Sequence, residues 1–150
     1  MVNDRLTDEL IYQSVKKGSK LNEAIEQTLK GKELQLPNGH YFTDKDGTKR
    51  DAIRIKWWEN PAEMTYKSIS IEPISSLPEQ SVGISGSKPK HFYNREDKKV
   101  FFGHYWLQGE PSFYKNNICC LDYSVAKGGK LVAYRLNGET ELDSDNFVYV

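Results

Sequence analysis

Charge of one sign is missing from this chain of 150 residues, in which 21 Lys and Arg stand against 21 Asp and Glu. That balance leaves no global field to hold nucleic acid or an anionic membrane, so neither is expected as a partner. Long apolar runs are missing too, and none approaches the roughly 20 residues that cross a bilayer. The stretch from Met1 to Leu10 is polar and acidic, unlike a secretory leader. Cysteine is reduced to one adjacent pair, Cys119 and Cys120. Neighbours on a strand face opposite ways, so a bond between them would be strained. The pair reads as free thiols in a reducing, cytoplasmic setting. Internal repeats and low-complexity tracts are absent as well.

What is present is material for packing. Nine Tyr, six Phe and three Trp argue for a core rather than a disordered segment. The length fits a single domain spanning residues 1–150. The patterning predicts an α+β fold with amino-terminal helices (1–35), a hairpin insertion and loop (36–97) and a carboxy-terminal antiparallel sheet (98–150).

Residues 7–30 read as two helices. Leu10, Ile11, Ser14 and Val15 form a short stripe, Gly18 breaks it, and Ser19 is the new N-cap. Leu21, Ala24, Ile25, Thr28 and Leu29 follow at helical spacing, and Gly31 sits where a helix ends. Leu36-Pro37-Asn38-Gly39 is a turn. His40-Tyr41-Phe42 and residues 50–58 flank Asp44-Lys45-Asp46-Gly47, a hairpin signal. In its second arm Ile53, Ile55 and Trp57 alternate with Arg54, Lys56 and Trp58, giving one apolar face and one basic face.

Residues 66–71 read as a short strand. Pro73, Pro78 and Pro89, set among serines 75, 76, 81, 85 and 87, mark a long loop over 73–97 of the kind that is often functional or mobile. Beyond it come strands at 100–102, 118–123, 131–136 and 147–150. Lys127-Gly128-Gly129 and Asn137-Gly138 supply turns, and the series reads as an antiparallel meander.

Several motifs fail on chemistry. With Gly47 at the sixth position of a calcium loop, Phe42 and Ile53 would fall on the first and twelfth, where neither is a ligand. Gly83-Ile84-Ser85-Gly86-Ser87-Lys88 has the wrong spacing for a phosphate loop, and Pro89 blocks the helix that should follow. Cys119-Cys120 lacks the spacer of a zinc pair. No serine has the flanks of a nucleophile elbow.

His104 is the residue singled out for chemistry. It follows a buried strand and one glycine, and a histidine on a rigid strand end suits a metal ligand. One histidine does not make a metal site, since zinc takes three or four ligands. Arg50, Arg54 and Trp58 are the second choice, as arginine forks suit phosphate oxygens and an indole stacks on a base or sugar.

Three segments carry a resemblance. Val100-Phe101-Phe102-Gly103-His104-Tyr105-Trp106, then Asn117-Ile118-Cys119-Cys120-Leu121-Asp122-Tyr123-Ser124, then Gly128-Gly129-Lys130-Leu131-Val132-Ala133-Tyr134-Arg135-Leu136, resemble in order, spacing and character the end of calcineurin-like metallophosphoesterases. There a strand ends in Gly-His, a strand with an Asp-containing turn follows, and a Gly-Gly-x-Leu-x-Ala strand closes the sheet. The stretch at 30–34 and the hairpin at 44–58 resemble an insertion in a bacterial branch of that family.

The resemblance implies the back half of an αββα sandwich and a phosphatase that hydrolyses phosphate esters. Its cofactor would be a divalent metal pair of manganese or iron/zinc type, about 4 Å apart. His104 lands on a ligand of that pair. Gly103 and Asp122 land on structural support of the site. Arg50, Arg54, Trp58 and Tyr105 are the substrate-binding candidates, with the hairpin as a lid. The family's earlier Asp-x-His, Gly-Asp, Asn-His and second-histidine motifs are absent, and His40 and His91 lack their flanks. The chain is therefore expected to be inactive and without a tightly bound metal when alone. A bare half-sandwich would expose apolar surface, so a homodimer or pairing with a missing amino-terminal half is expected. The alternatives are a non-catalytic binding module derived from that fold and, last, a metal-independent hydrolase built on His40, His91 and Asp122.

Overall fold

A computed structural model describes residues 5–44, 46–83 and 93–150. The chain is mixed helix and sheet, α+β in class. Helix α1 (Asp8–Ser14) starts at Thr7, whose hydroxyl accepts from the Leu10 amide at 3.2 Å. Helix α2 (Lys20–Lys30) starts at Ser19, which accepts from the Asn22 amide at 3.1 Å. The Asn22 side chain donates back to the Ser14 carbonyl at 2.7 Å, which fixes the two helices as a hairpin. Neither helix contributes a buried residue. No helix of the described residues is long and apolar enough to cross a membrane.

Strand β1 (Glu33–Gln35) follows directly and pairs antiparallel with β4 (Ala52–Arg54), with Leu34 opposite Ile53. Between them β2 (Phe42–Thr43) and β3 (Lys49–Arg50) form a small hairpin. The arm expected to run from residue 50 to 58 is thus broken. It bends at Asp51, and its continuation pairs with a strand in the segment read as helical.

Residues 66–71 are not a strand. Tyr66–Ile69 is a single helical turn, α3, held by a reciprocal capping box between Thr65 and Ser68. Those two polar side chains satisfy the turn's free amides, which outweighs the strand preference of Tyr66 and Ile69. The chain from Glu72 to Gly83 then straps across α3. Gln80 and Pro78 carbonyls accept from the amides of Tyr66 and Lys67, and Leu77 is 4% exposed. The first core joins Leu36, Ile53, Ile55, Tyr66, Ile69 and Leu77. Residues 84–92 of the expected loop lie outside the described residues, and with them most of the Gly83–Lys88 motif and His91.

The carboxy-terminal part holds two three-stranded sheets rather than one meander. The first has the order β5-β7-β6, from β5 (Val100–Phe102), β6 (Phe113–Lys115) and β7 (Ile118–Cys120). Strands β6 and β7 form a hairpin, and β5 runs parallel to β7 on its other side. The second has the order β10-β9-β8, from β8 (Asp122–Tyr123), β9 (Lys130–Tyr134) and β10 (Phe147–Tyr149), all antiparallel. The stretch read as one strand from 118 to 123 changes sheets at Leu121.

Both thiols of β7 are fully buried and free. Burial pushes Cys119 up to about 12 and Cys120 up to about 11. Asn117 is 2% exposed, and its amide donates to the carbonyls of Asn94, Arg95 and Asp97, tying down the approach to β5.

An aromatic seam joins the two halves. Trp58 is 1% exposed and packs between Phe102 of β5 and Tyr114 of β6, at ring-centroid distances of 5.7 and 4.8 Å. The expected alternation assigned Trp58 to the solvent face beside the arginines. The strand pattern ends at Ile55, however, and Trp57–Trp58 lie in a turn that directs the second indole inward. Trp58 is a core residue and is not available for stacking on a ligand.

Candidate functional site

The turn of the β2–β3 hairpin is built by Asp44. One carboxylate oxygen accepts from the amides of Asp46 (3.0 Å) and Thr48 (2.8 Å), and the other from Arg50 Nε at 2.8 Å. The Thr48 amide, with the Arg50 guanidinium behind it, holds Asp44 below the usual carboxylate range, and Asp44 in turn raises Arg50. These bonds consume the carboxylate within its own turn.

Four residues after Arg50 comes Arg54. Its Nη1 donates to the His104 carbonyl at 2.5 Å, its Nε lies 3.8 Å from Glu33, and its guanidinium carbon lies 5.5 Å from the centroid of the Tyr105 ring. The bend at Asp51 does not separate the two arginines. Both line one cleft of about 290 Å³ together with His104, Tyr105 and Trp106. Trp58 has no part in it.

The opposite wall begins where β5 ends. His104 (φ 71°) and Trp106 (φ 52°) both occupy the left-handed region, in which a side chain costs about 1–2 kcal/mol per residue. The positive φ falls on the histidine itself and not on the glycine before it. At Gly103 an added methyl would stand 3.6 Å from the Asp122 Cβ, an ordinary contact, so the approach of β5 to Asp122 does not require a glycine there.

Asp122 holds the far side of this loop. Its carboxylate accepts from the Trp106 amide at 3.3 Å and from the Ser124 amide at 3.1 Å, and its carbonyl accepts from Leu107 at 3.0 Å. Between the two strained residues Tyr105 is 4% exposed, against Phe102 at 5.1 Å between centroids. Burial raises its phenol to about 12, and its hydroxyl has no hydrogen-bond partner. A charge-assisted bond from Arg54, worth about 1.5–3 kcal/mol, is of the size needed to offset the strain at His104.

His104 is itself exposed at the cleft. Glu33, Asp44, Asp46 and Glu72 line the same space. Asp46 lies 3.7 Å from Lys127, whose ammonium sits 4.2 Å from the centroid of the Trp106 ring. Each arginine therefore already faces a carboxylate, and an entering anion competes with Asp44 and Glu33. Among the described residues no group of three or more His, Cys, Asp or Glu stands close enough to hold a metal ion. The residues in hand thus supply one exposed imidazole and do not by themselves fit a dinuclear centre. His40 stands in the Pro37–His40 turn and does not line the cleft.

Sequence reasoning missed three parts of the cleft: Glu33, Glu72 and the Lys127–Trp106 contact. Glu33 was hidden because β1 was read as the end of a helical region. The other two reach the cleft through tertiary packing, which no local pattern reports. No protein-family model, curated protein or solved structure matches this chain.

Proposed function

We propose that this chain is the carboxy-terminal part of a calcineurin-like metallophosphoesterase, and that the cleft between the β2–β3 hairpin and the His104 loop receives the phosphate ester. The observation that carries the reading is the left-handed backbone at His104, which turns an exposed imidazole into a cleft shared with Arg50 and Arg54. Strain of this kind at a non-glycine residue is concentrated at functional sites. His104 would be one ligand of a divalent metal pair of manganese or iron/zinc type. The remaining ligands belong to a segment that this chain does not contain. Held by His104 together with ligands from outside this chain, such a centre would supply phosphate binding and a water of lowered pKa.

The chain's own groups do the positioning. Arg50 presents a guanidinium to phosphate oxygens in exchange for Asp44. Asp122 braces the loop. Exposed Leu131 (59%), Leu136 (57%) and Val125 (52%) accord with pairing to the missing half or to a second copy.

The test is a manganese-dependent assay on p-nitrophenyl phosphate. The chain alone is expected to be inactive. The chain combined with the polypeptide encoded immediately upstream is expected to be active, and His104→Gln is expected to abolish that activity. An upstream reading frame without the Asp-x-His and Asn-His segments would sink the proposal.

A second reading, a binding module without chemistry, is favoured by the cleft lining, in which His104 is the single imidazole among the described residues. It predicts that the chain alone binds inorganic phosphate without metal, seen as shifts of the Arg50 and Arg54 side-chain resonances, and that no combination hydrolyses the ester.

A further inference from the structure

We propose that Arg54 is the positioning residue of His104, holding the histidine's backbone so that the imidazole is presented to the cleft, rather than a group that meets the substrate. The proposal deepens the reading above and rests on it only for what His104 does once placed.

Three contacts of one side chain carry the argument. Arg54 Nη1 donates to the His104 carbonyl at 2.5 Å, across a separation of 50 residues in sequence. The guanidinium also lies over the ring of Tyr105, the next residue, at 5.5 Å from its centroid. Its Nε is turned to Glu33 on β1, at 3.8 Å. The planar fork therefore spans β1 and the loop, and its side chain is only 26% exposed.

The loop needs such a hold. His104 and Trp106 both carry positive φ, and the anchors from Asp122 reach only the Trp106 and Leu107 amides. Arg54 holds the His104 carbonyl, which the Asp122 bonds do not reach. A guanidinium can donate to a carbonyl, face a carboxylate and lie over a ring at once, whereas an ammonium is a point donor that cannot do all three. Arg50 differs in kind. Its partner is Asp44 within its own hairpin, and among the described residues it has no hydrogen bond to the His104 loop.

The test is imidazole NMR of the full chain at one fixed pH, with the His104 signal assigned by its loss in His104→Gln. Amide exchange at Leu107 is read in the same samples. Arg54→Met is expected to displace or split the His104 signal, leave the His40 signal in place, and speed Leu107 exchange by about tenfold to a hundredfold, the range for loss of one charge-assisted bond. Arg54→Lys is expected to restore exchange in part while leaving the imidazole displaced. Arg50→Met is expected to change neither.

Unmoved His104 and Leu107 signals in Arg54→Met would overturn the proposal, as would equal effects from Arg50→Met. If Arg54→Met does not fold, Arg54→Lys decides alone: an imidazole signal identical to that of the parent chain overturns the proposal. None of these signals needs metal, substrate or turnover. Failure here leaves the phosphoesterase reading standing, and failure of that reading leaves these signals unchanged.

Discussion

Gly31 is where a single methyl group tests the architecture behind the cleft. It ends α2 at φ 90° and ψ 158°, a region essentially closed to residues with a side chain, where strain costs about 1–3 kcal/mol. An added Cβ would meet Tyr105 Oη at 1.8 Å and Cζ at 2.5 Å. Tyr105 is 4% exposed and bounded by Phe102 and Arg54, so it has nowhere to retreat without moving the His104 loop. Overpacking of that kind adds about 1–3 kcal/mol. Gly31→Ala is therefore expected to cost about 2–6 kcal/mol in all. The matched control is Gly18→Ala, at φ 78° with nothing within 4 Å, where only a backbone cost of about 1–2 kcal/mol applies. Urea unfolding followed by tryptophan fluorescence separates the two. With a slope near 2 kcal/mol/M, the overpacking part alone should lower the Gly31→Ala midpoint about 0.5–1.5 M beyond the control. Equal midpoints for the two variants would show that Tyr105 does not seat against Gly31 and would remove the support assigned to the loop.

Three further outcomes follow from the same packing. Tyr105→Phe deletes a buried hydroxyl without a partner, so stability in urea should change by less than about 0.5 kcal/mol or rise, because no bond is lost and a desolvated group disappears. Trp58→Ala should cost about 3–5 kcal/mol, as for a fully buried ring; a ligand-stacking tryptophan would cost far less, so a loss under about 1 kcal/mol would contradict its place in the seam. The thiols of Cys119 and Cys120 are raised in the folded state from 9.0 to about 12 and about 11, so the native chain keeps protons that the unfolded chain has released. The thiol contribution is then full below pH 9 and is lost as pH rises toward 11 to 12; replacing both cysteines by alanine should make the alkaline limb of a urea-midpoint profile shallower, the rest belonging to buried phenols such as Tyr105, and an unchanged limb would refute the assignment.

What the sequence made legible was local. Ser19 and Gly31 mark both ends of α2 because capping is settled within four residues. Asp44 and Gly47 mark the hairpin turn for the same reason. Pairing was not legible. The chain from Ala52 to Arg54 pairs with β1, and β5 lies parallel to β7, because these contacts maximise burial of Ile53, Ile118 and the two cysteines rather than follow chain order. Trp58 was misplaced because alternation was carried past Ile55, where the strand had ended. Nothing in the local pattern marks His104 for the left-handed region, which tertiary anchors impose on it although a glycine stands next to it.

Strain on the histidine rather than on the glycine has a consequence for how the cleft is held. A glycine would adopt the bend unaided, and the loop would need no brace. A histidine in the same region reverts to an extended backbone unless its peptide is tied down. Asp122 ties the loop through Trp106 and Leu107, and Arg54 ties it through the His104 carbonyl. The arginine comes from the hairpin region and the aspartate from β8, so the imidazole is fixed only when both parts of the chain are folded against each other. The aromatic seam around Trp58 is what holds those parts together. A change in the seam should therefore reach His104 through Arg54, although Trp58 does not line the cleft. Trp58→Phe, which keeps the seam closed with a smaller ring, should shift the His104 imidazole signal in the same direction as Arg54→Lys; a shift confined to Phe102 and Tyr114 would show that the brace and the seam are independent.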